Sequence, residues 1–139
     1  MQERIIALLV HDRPEPMGFI RRALEYEFTE TVSVRSCREA QQVLPGGQPP
    51  HVIFTDARLS EGSWEDVVVL AGEAPSAVNV IVVSEVVDIA LYLEAIQRGA
   101  FDFIVPPMPL PDFAYVVRSA VNNALRRRET QLLTSETRN

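Results

Sequence analysis

The sequence predicts a doubly wound α/β fold, with parallel strands in one sheet and helices on both of its faces. Two observations carry this. Short apolar runs at residues 5–10, 52–55 and 80–83 each end in a polar residue: His11-Asp12, Asp56 and Ser84. A fourth run at 101–105 ends at Pro106-Pro107. Between the runs, apolar residues recur at helical spacing, and this alternation is that of βαβ units around a parallel sheet.

Residues 4–10 form the first strand, and their Ile, Leu and Val content suits burial on both faces. Pro14 and Pro16 break the chain and start a helix near Glu15. Phe19, Ile20, Leu24 and Phe28 make its apolar face. Val32 and Val34 sit in a short alternating strand. Ser36 caps a second helix over 39–44, with Glu39 as the acid of a capping box. Pro45-Gly46-Gly47 ends it, and Gln48-Pro49-Pro50 is a loop. Residues 51–55 make the third strand. A polar loop then runs through Ser63 into a helix carrying Val67, Val68 and Leu70, closed by Pro75. Residues 78–83 make the fourth strand. The fourth helix covers 86–98, with Ile89, Leu93 and Ile96 on one face and Gly99 as its C-cap. Residues 101–105 make the fifth strand, and a last helix starts at Asp112 with Phe113, Val117 and Val121 on its apolar side. Residues 1–128 thus form one domain. Residues 129–139 are a tail, expected to fray from Thr130, or the start of a linker helix. Right-handed crossovers put helices on both faces. Either common strand order then sets the ends of the first and third strands side by side.

The totals exclude several classes. A length of 139 residues suits one core, and a formal net charge of −6 argues against nonspecific nucleic-acid binding by this domain. No apolar run reaches the roughly 18 residues of a membrane span, and no signal-peptide pattern opens the chain. The single Cys37 fits a reducing, cytoplasmic compartment and reads as a half-buried small residue. Arg126-Arg127-Arg128 reads as a solvated helix end.

Ligands of such sheets collect at the carboxyl ends of the strands. Asp12, Asp56 and Ser84 should therefore converge. Two carboxylates can share Mg²⁺ with waters and phosphate oxygens. A carboxylate there can also attack phosphorus and hold an acyl phosphate, with Ser84 donating to a phosphoryl oxygen. The competing reading is that acidic residues at strand ends only form turns. No Gly-rich phosphate loop or nucleophile elbow occurs, so the chain does not read as an enzyme.

The segments LLVHDRPEP, HVIFTDARLSEG, VIVVSE and QRGAFDFIVPPMPLPDF follow one another in this order. Over residues 4–128 the chain resembles the receiver domain of two-component response regulators. The resemblance implies a flavodoxin-like sheet of order 2-1-3-4-5. It implies Asp56 as phosphoacceptor for a histidine kinase or phosphotransfer protein, and Mg²⁺ held by Asp12, Asp56 and the Arg58 carbonyl. It also implies Ser84 and Phe103 as switch residues. The surface of the fourth helix, fifth strand and fifth helix, bracketed by Tyr92, Phe101 and Phe103, would meet an output domain, a partner protein or a second copy.

Three positions depart from that pattern. His11 replaces an acid that would help hold the ion, Arg13 replaces another common acid, and Pro106 replaces a nearly universal Lys. Proline offers no donor for that Lys's role. The alternative function is therefore a phosphorylation-independent interaction module on the same fold. Arg13 is expected to extend into solvent, as exposed long cations do; the competing arrangement has it reach Asp56 in place of the Lys. His11 reads as a turn residue rather than a pH-sensitive group. Trp64 is either a partner contact or partly buried over its helix start. The Pro106–Pro107 bond is expected to be cis.

Overall fold

The computed structural model describes residues 4–27, 29–45 and 48–137. Phe28, Gly46 and Gly47, which the sequence reading placed on the first helix and in the turn after the second, lie outside them. Among the described residues the chain forms strands β1 (Ile6–Val10), β2 (Glu30–Val34), β3 (Val52–Asp56), β4 (Asn79–Val83) and β5 (Asp102–Ile104). Helices α1 (Met17–Glu25), α2 (Cys37–Val43), α3 (Trp64–Glu73), α4 (Ile89–Gln97) and α5 (Leu110–Thr137) alternate with them. All strand pairs are parallel, in the order β2-β1-β3-β4-β5. This is the predicted doubly wound, flavodoxin-like architecture.

The unbroken apolar strands arise because both faces are covered. Ala7 and Leu9 of β1 and Phe54 of β3 pack on α1 and α5, through Ile20, Leu24, Phe113 and Val117. Leu8 and Val10 face the other way, with Ile53, onto α2 and α3. Phe113 is the hub of the first layer. It stacks on Phe54 with ring centroids 5.9 Å apart, and Phe19 meets it edge-on at the same distance. A buried aromatic of this kind contributes about 3–5 kcal/mol against truncation to Ala. A third cluster joins Trp64, Val82, Ala95, Ala100 and Phe103 at the α3–α4 side.

Several helix boundaries differ from expectation for identifiable reasons. Helix α4 starts at Ile89 rather than near residue 86, because Asp88 caps it: its Oδ1 accepts from Leu91 N at 3.0 Å. Ser36 Oγ accepts from Glu39 N as expected, yet Glu39 Oε2 takes the Arg35 N–H instead of closing the box. The reciprocal box occurs at α3, between Ser63 and Asp66. Gly99 sits just past α4 with φ +109, a conformation that favours glycine.

Helix α5 runs unbroken across residues 128 and 129 to Thr137, where fraying was expected. Its far part is also tied to the sheet. Arg128 Nε donates to the Ala77 carbonyl at 2.8 Å, and Gln131 Oε1 accepts from Ala77 N at 3.2 Å. Arg127 Nη1 donates to Asn79 Oδ1 at 2.7 Å. Two residues of the triple-arginine run thus dock the helix instead of facing only solvent.

Candidate functional site

Parallel pairing brings the carboxyl ends of β1, β3 and β4 together. Val10 lies level with Thr55, and Asp56 lies level with Val83. Ala57 N then donates to Val83 O at 2.8 Å, which holds Asp56 at the mouth beside Ser84. The Asp56 side chain is fully buried, and Ser84 is 5% exposed.

A carboxylate removed from water is costly unless hydrogen-bonded and paired. Here the partner is Arg13. Its Nε donates to Asp56 Oδ2 at 3.2 Å, and its Nη2 lies 2.9 Å from Oδ1 and 3.0 Å from Oδ2. The backbone N–H of Arg58 donates to Oδ1 at 3.0 Å. Arg13 Nη1 reaches the other way, to Glu85 Oε1 at 2.8 Å. The planar guanidinium fork suits this side-on pairing. Its hydrogen bond to Asp56 raises the Arg13 pKa further, against a smaller opposing effect of burial. The sequence reading that sent Arg13 into solvent is therefore corrected. The side chain keeps 31% of its surface, but its charge is spent on the burial of Asp56.

The other predicted residues are arranged less simply. Asp12 Oδ2 accepts the Ser60 N–H at 2.8 Å, and hydrogen bonding to Ser60 holds its carboxyl below the ordinary value of 3.8. His11 Nδ1 donates to the Arg13 carbonyl at 2.7 Å, and its Nε2 faces Arg21 Nη2 at 3.3 Å. One ring nitrogen thus serves the turn around Arg13, and the other faces helix α1. Ser84 Oγ donates to Val86 O at 2.9 Å and accepts from Val86 N at 3.2 Å. In this arrangement it braces its own loop. Phe103 is 9% exposed and meets Tyr92 edge-on at 5.9 Å. Trp64 is buried in the same cluster, so the burial reading holds and the partner-contact reading falls. The Pro106–Pro107 bond is cis, as expected.

Two contributors escaped the sequence reading. Glu85 completes the far side of Arg13, and its only signal was its place directly after Ser84. Ser60 engages Asp12 through its side chain and its backbone N–H, from a loop position that the sequence does not place beside Asp12.

A cavity of about 210 Å³ opens over Asp56, lined by Arg13, Arg58, Ser84, Glu85 and Asp88. The donor set does not suit a hard divalent ion as it stands. Both Asp56 oxygens already hold donors, Asp12 is engaged by Ser60, and a guanidinium occupies the carboxylate's open side. Among the described residues no group of three or more His, Cys, Asp or Glu side chains converges as a metal site. Nor is any helix long and apolar enough to cross a membrane.

Comparison with known proteins agrees with this architecture. No family model matches the chain. Response regulator protein PilR of Pseudomonas aeruginosa is 29% identical over 115 residues, covering 83% of this chain and 26% of that protein. The nitrogen assimilation regulatory protein NtrX of Azorhizobium caulinodans is 31% identical over 132 residues, covering 91% of this chain and 28% of that protein. The chain therefore spans about a quarter of the length of these curated relatives. Among solved structures, the signal receiver domain of a putative LuxO repressor from Vibrio parahaemolyticus superposes with a TM-score of 0.76 at 24% identity, covering 90% of this chain and 95% of that one. NtrX from Brucella abortus gives a TM-score of 0.80 at 22% identity, covering 94% of this chain and 30% of that one. At these identities the structural likeness speaks for the fold alone.

Proposed function

We propose that this chain, a response-regulator receiver domain by its fold and its relatives, accepts a phosphoryl group on Asp56 from a histidine kinase or phosphotransfer protein. The observation that carries the reading is the buried Asp56 carboxylate at the strand ends, under a cavity and balanced by the Arg13 guanidinium. In the transfer, an Asp56 oxygen forms a bond to phosphorus as the phosphorus–nitrogen bond of a phosphohistidine breaks. The departing imidazole keeps that electron pair and takes a proton.

The product adds about one negative charge beside Arg13, Ser84 and Glu85. Arg13 can follow the phosphoryl oxygens, because a guanidinium binds them as well as a carboxylate. It thereby takes the part of the cation missing at Pro106. Ser84 would turn from Val86 toward the new oxygens, releasing the loop between β4 and α4. That loop leads into an apolar strip, with Val86, Val87, Ile89 and Leu93 exposed. Such a strip suits an output domain, a partner protein or a second copy meeting α4, β5 and α5, where Leu110 and Tyr115 are also exposed. The role is that of a signalling switch in the cytoplasm rather than an enzyme.

Incubation with acetyl phosphate, followed by intact mass, tests the reading. One added phosphoryl mass is expected for the parent and none for Asp56→Asn. No gain with acetyl phosphate or a phosphorylated kinase would overturn it and leave the phosphorylation-independent interaction module.

A further inference from the structure

We infer that Arg13 is the resident cation of the Asp56 pocket, competing with any divalent ion for the same carboxylate and held in place by Glu85. The inference builds on Asp56 as the responsive group but does not depend on its phosphorylation.

A hard ion binds a carboxylate through oxygen lone pairs, and a cation already at contact distance both occupies those lone pairs and repels it. Arg13 already engages both Asp56 oxygens through Nε and Nη2, and Arg58 N takes a further lone pair on Oδ1. An ion at this carboxylate must displace the guanidinium. Displacement has a second consequence, because Nη1 would leave Glu85, whose side chain it holds at 2.8 Å. Asp12 cannot easily make up the loss. Its Oδ2 holds the Ser60 backbone N–H at 2.8 Å, so recruiting that oxygen would also free a backbone donor. The residue types follow the same logic. With imidazole at position 11 and proline at 106, the pocket has one hard ligand fewer and lacks the usual side-chain cation. A single arginine from the β1–α1 loop supplies the positive charge that a bound ion and a lysine at 106 would otherwise provide.

Mg²⁺ and Mn²⁺ titrations of the parent, Arg13→Ala and Glu85→Ala decide the matter, followed by calorimetry and by the melting temperature. The parent should show no saturation and a flat melting temperature up to about 10 mM Mg²⁺. Arg13→Ala should bind at least about ten-fold more tightly, and its melting temperature should climb as the ion replaces the lost cation. Glu85→Ala should lie between the two, since it loosens the arginine without removing it. If Arg13→Ala is unfolded without metal, Arg13→Gln keeps a neutral donor in the site and takes its place. Equal affinities for the parent and both Arg13 variants would overturn the inference, as would millimolar or tighter binding by the parent. A Glu85→Ala affinity equal to that of the parent would remove Glu85 from it. Neither phosphoryl uptake nor its failure enters these readouts.

Discussion

At the carboxyl ends of the strands a formal charge is buried, and one side chain from a loop balances it. At the amino ends one buried polar group is the neutral Asn79, 6% exposed, and several partners share it. Its Nδ2 donates to the Ala120 carbonyl at 2.7 Å and to Asn123 Oδ1 at 3.0 Å, while Arg127 donates to its Oδ1. Nearby, His51 Nδ1 accepts the Ile6 N–H at 3.2 Å, and Arg128 holds the Ala77 carbonyl. The difference is one of concentration. At the amino ends polar contacts are spread over helix α5, so losing one leaves the rest in place. At the carboxyl ends most of the compensation sits on Arg13. That end can be rearranged by changing one charge, whereas the other end serves as an anchor.

Stability measurements can break or sharpen this contrast. The largest effect is expected for Arg13→Ala, which strands a buried carboxylate. Removing one partner of a fully buried pair costs about 3–5 kcal/mol, and partial exposure of Arg13 lowers this to about 2–4 kcal/mol. Adding Asp56→Asn to that variant should recover most of the loss in urea unfolding. A double variant as unstable as the single one would show that the charge is not the cause. Asn79→Ala should cost about 1–3 kcal/mol through the unpaired groups it leaves. Arg127→Ala on that background should cost less than it does alone, because the two act in one network. Full additivity would mean that the anchor is a set of independent bonds.

Glu85→Gln should change stability by no more than about 0.5 kcal/mol, as exposed pairs do, while still weakening the hold on Arg13. The smallest effect concerns acid. Asp12 has a depressed pKa in the folded chain, so its contribution is present above the ordinary value of 3.8 and is lost as pH falls through the lower folded value. Asp12→Asn should therefore flatten the fall in unfolding midpoint below about pH 4. An unchanged slope would mean that the Ser60 contact does not persist in solution.

These contrasts also mark what a sequence can disclose. Asp56 and Ser84 were legible because a strand buried on both faces must end where its apolar run ends, and the next polar residue then stands at the mouth. The sheet followed from the same runs. Arg13 at Asp56 was legible only as the less favoured of two arrangements. A long cation has nearly equal free energies in solvent and in a partial ion pair, and only the complete burial of Asp56 tips the balance. Asp12 was legible as a strand-end acid, but its engagement by a backbone N–H depends on where the β3–α3 loop passes. Arg127 and Arg128 were misread for a related reason. A basic run is usually solvated, and its docking depends on the amino end of β4 lying under that stretch of α5. The polarity after Thr130 suggested fraying, yet no Gly or Pro interrupts the helix, and Gln131 reaches back to Ala77.

Trp64 is the only tryptophan in the chain and is 5% exposed. It lies in one cluster with Val82, Ala95, Ala100 and Phe103, at the junction of α3, α4 and β5. The protein thus carries an intrinsic optical reporter packed against α4 and β5, beside the exposed apolar strip. Its emission arises from one site and needs no label. A shift in wavelength or quenching would follow α4 in real time, separately from any signal at the amino ends of the sheet.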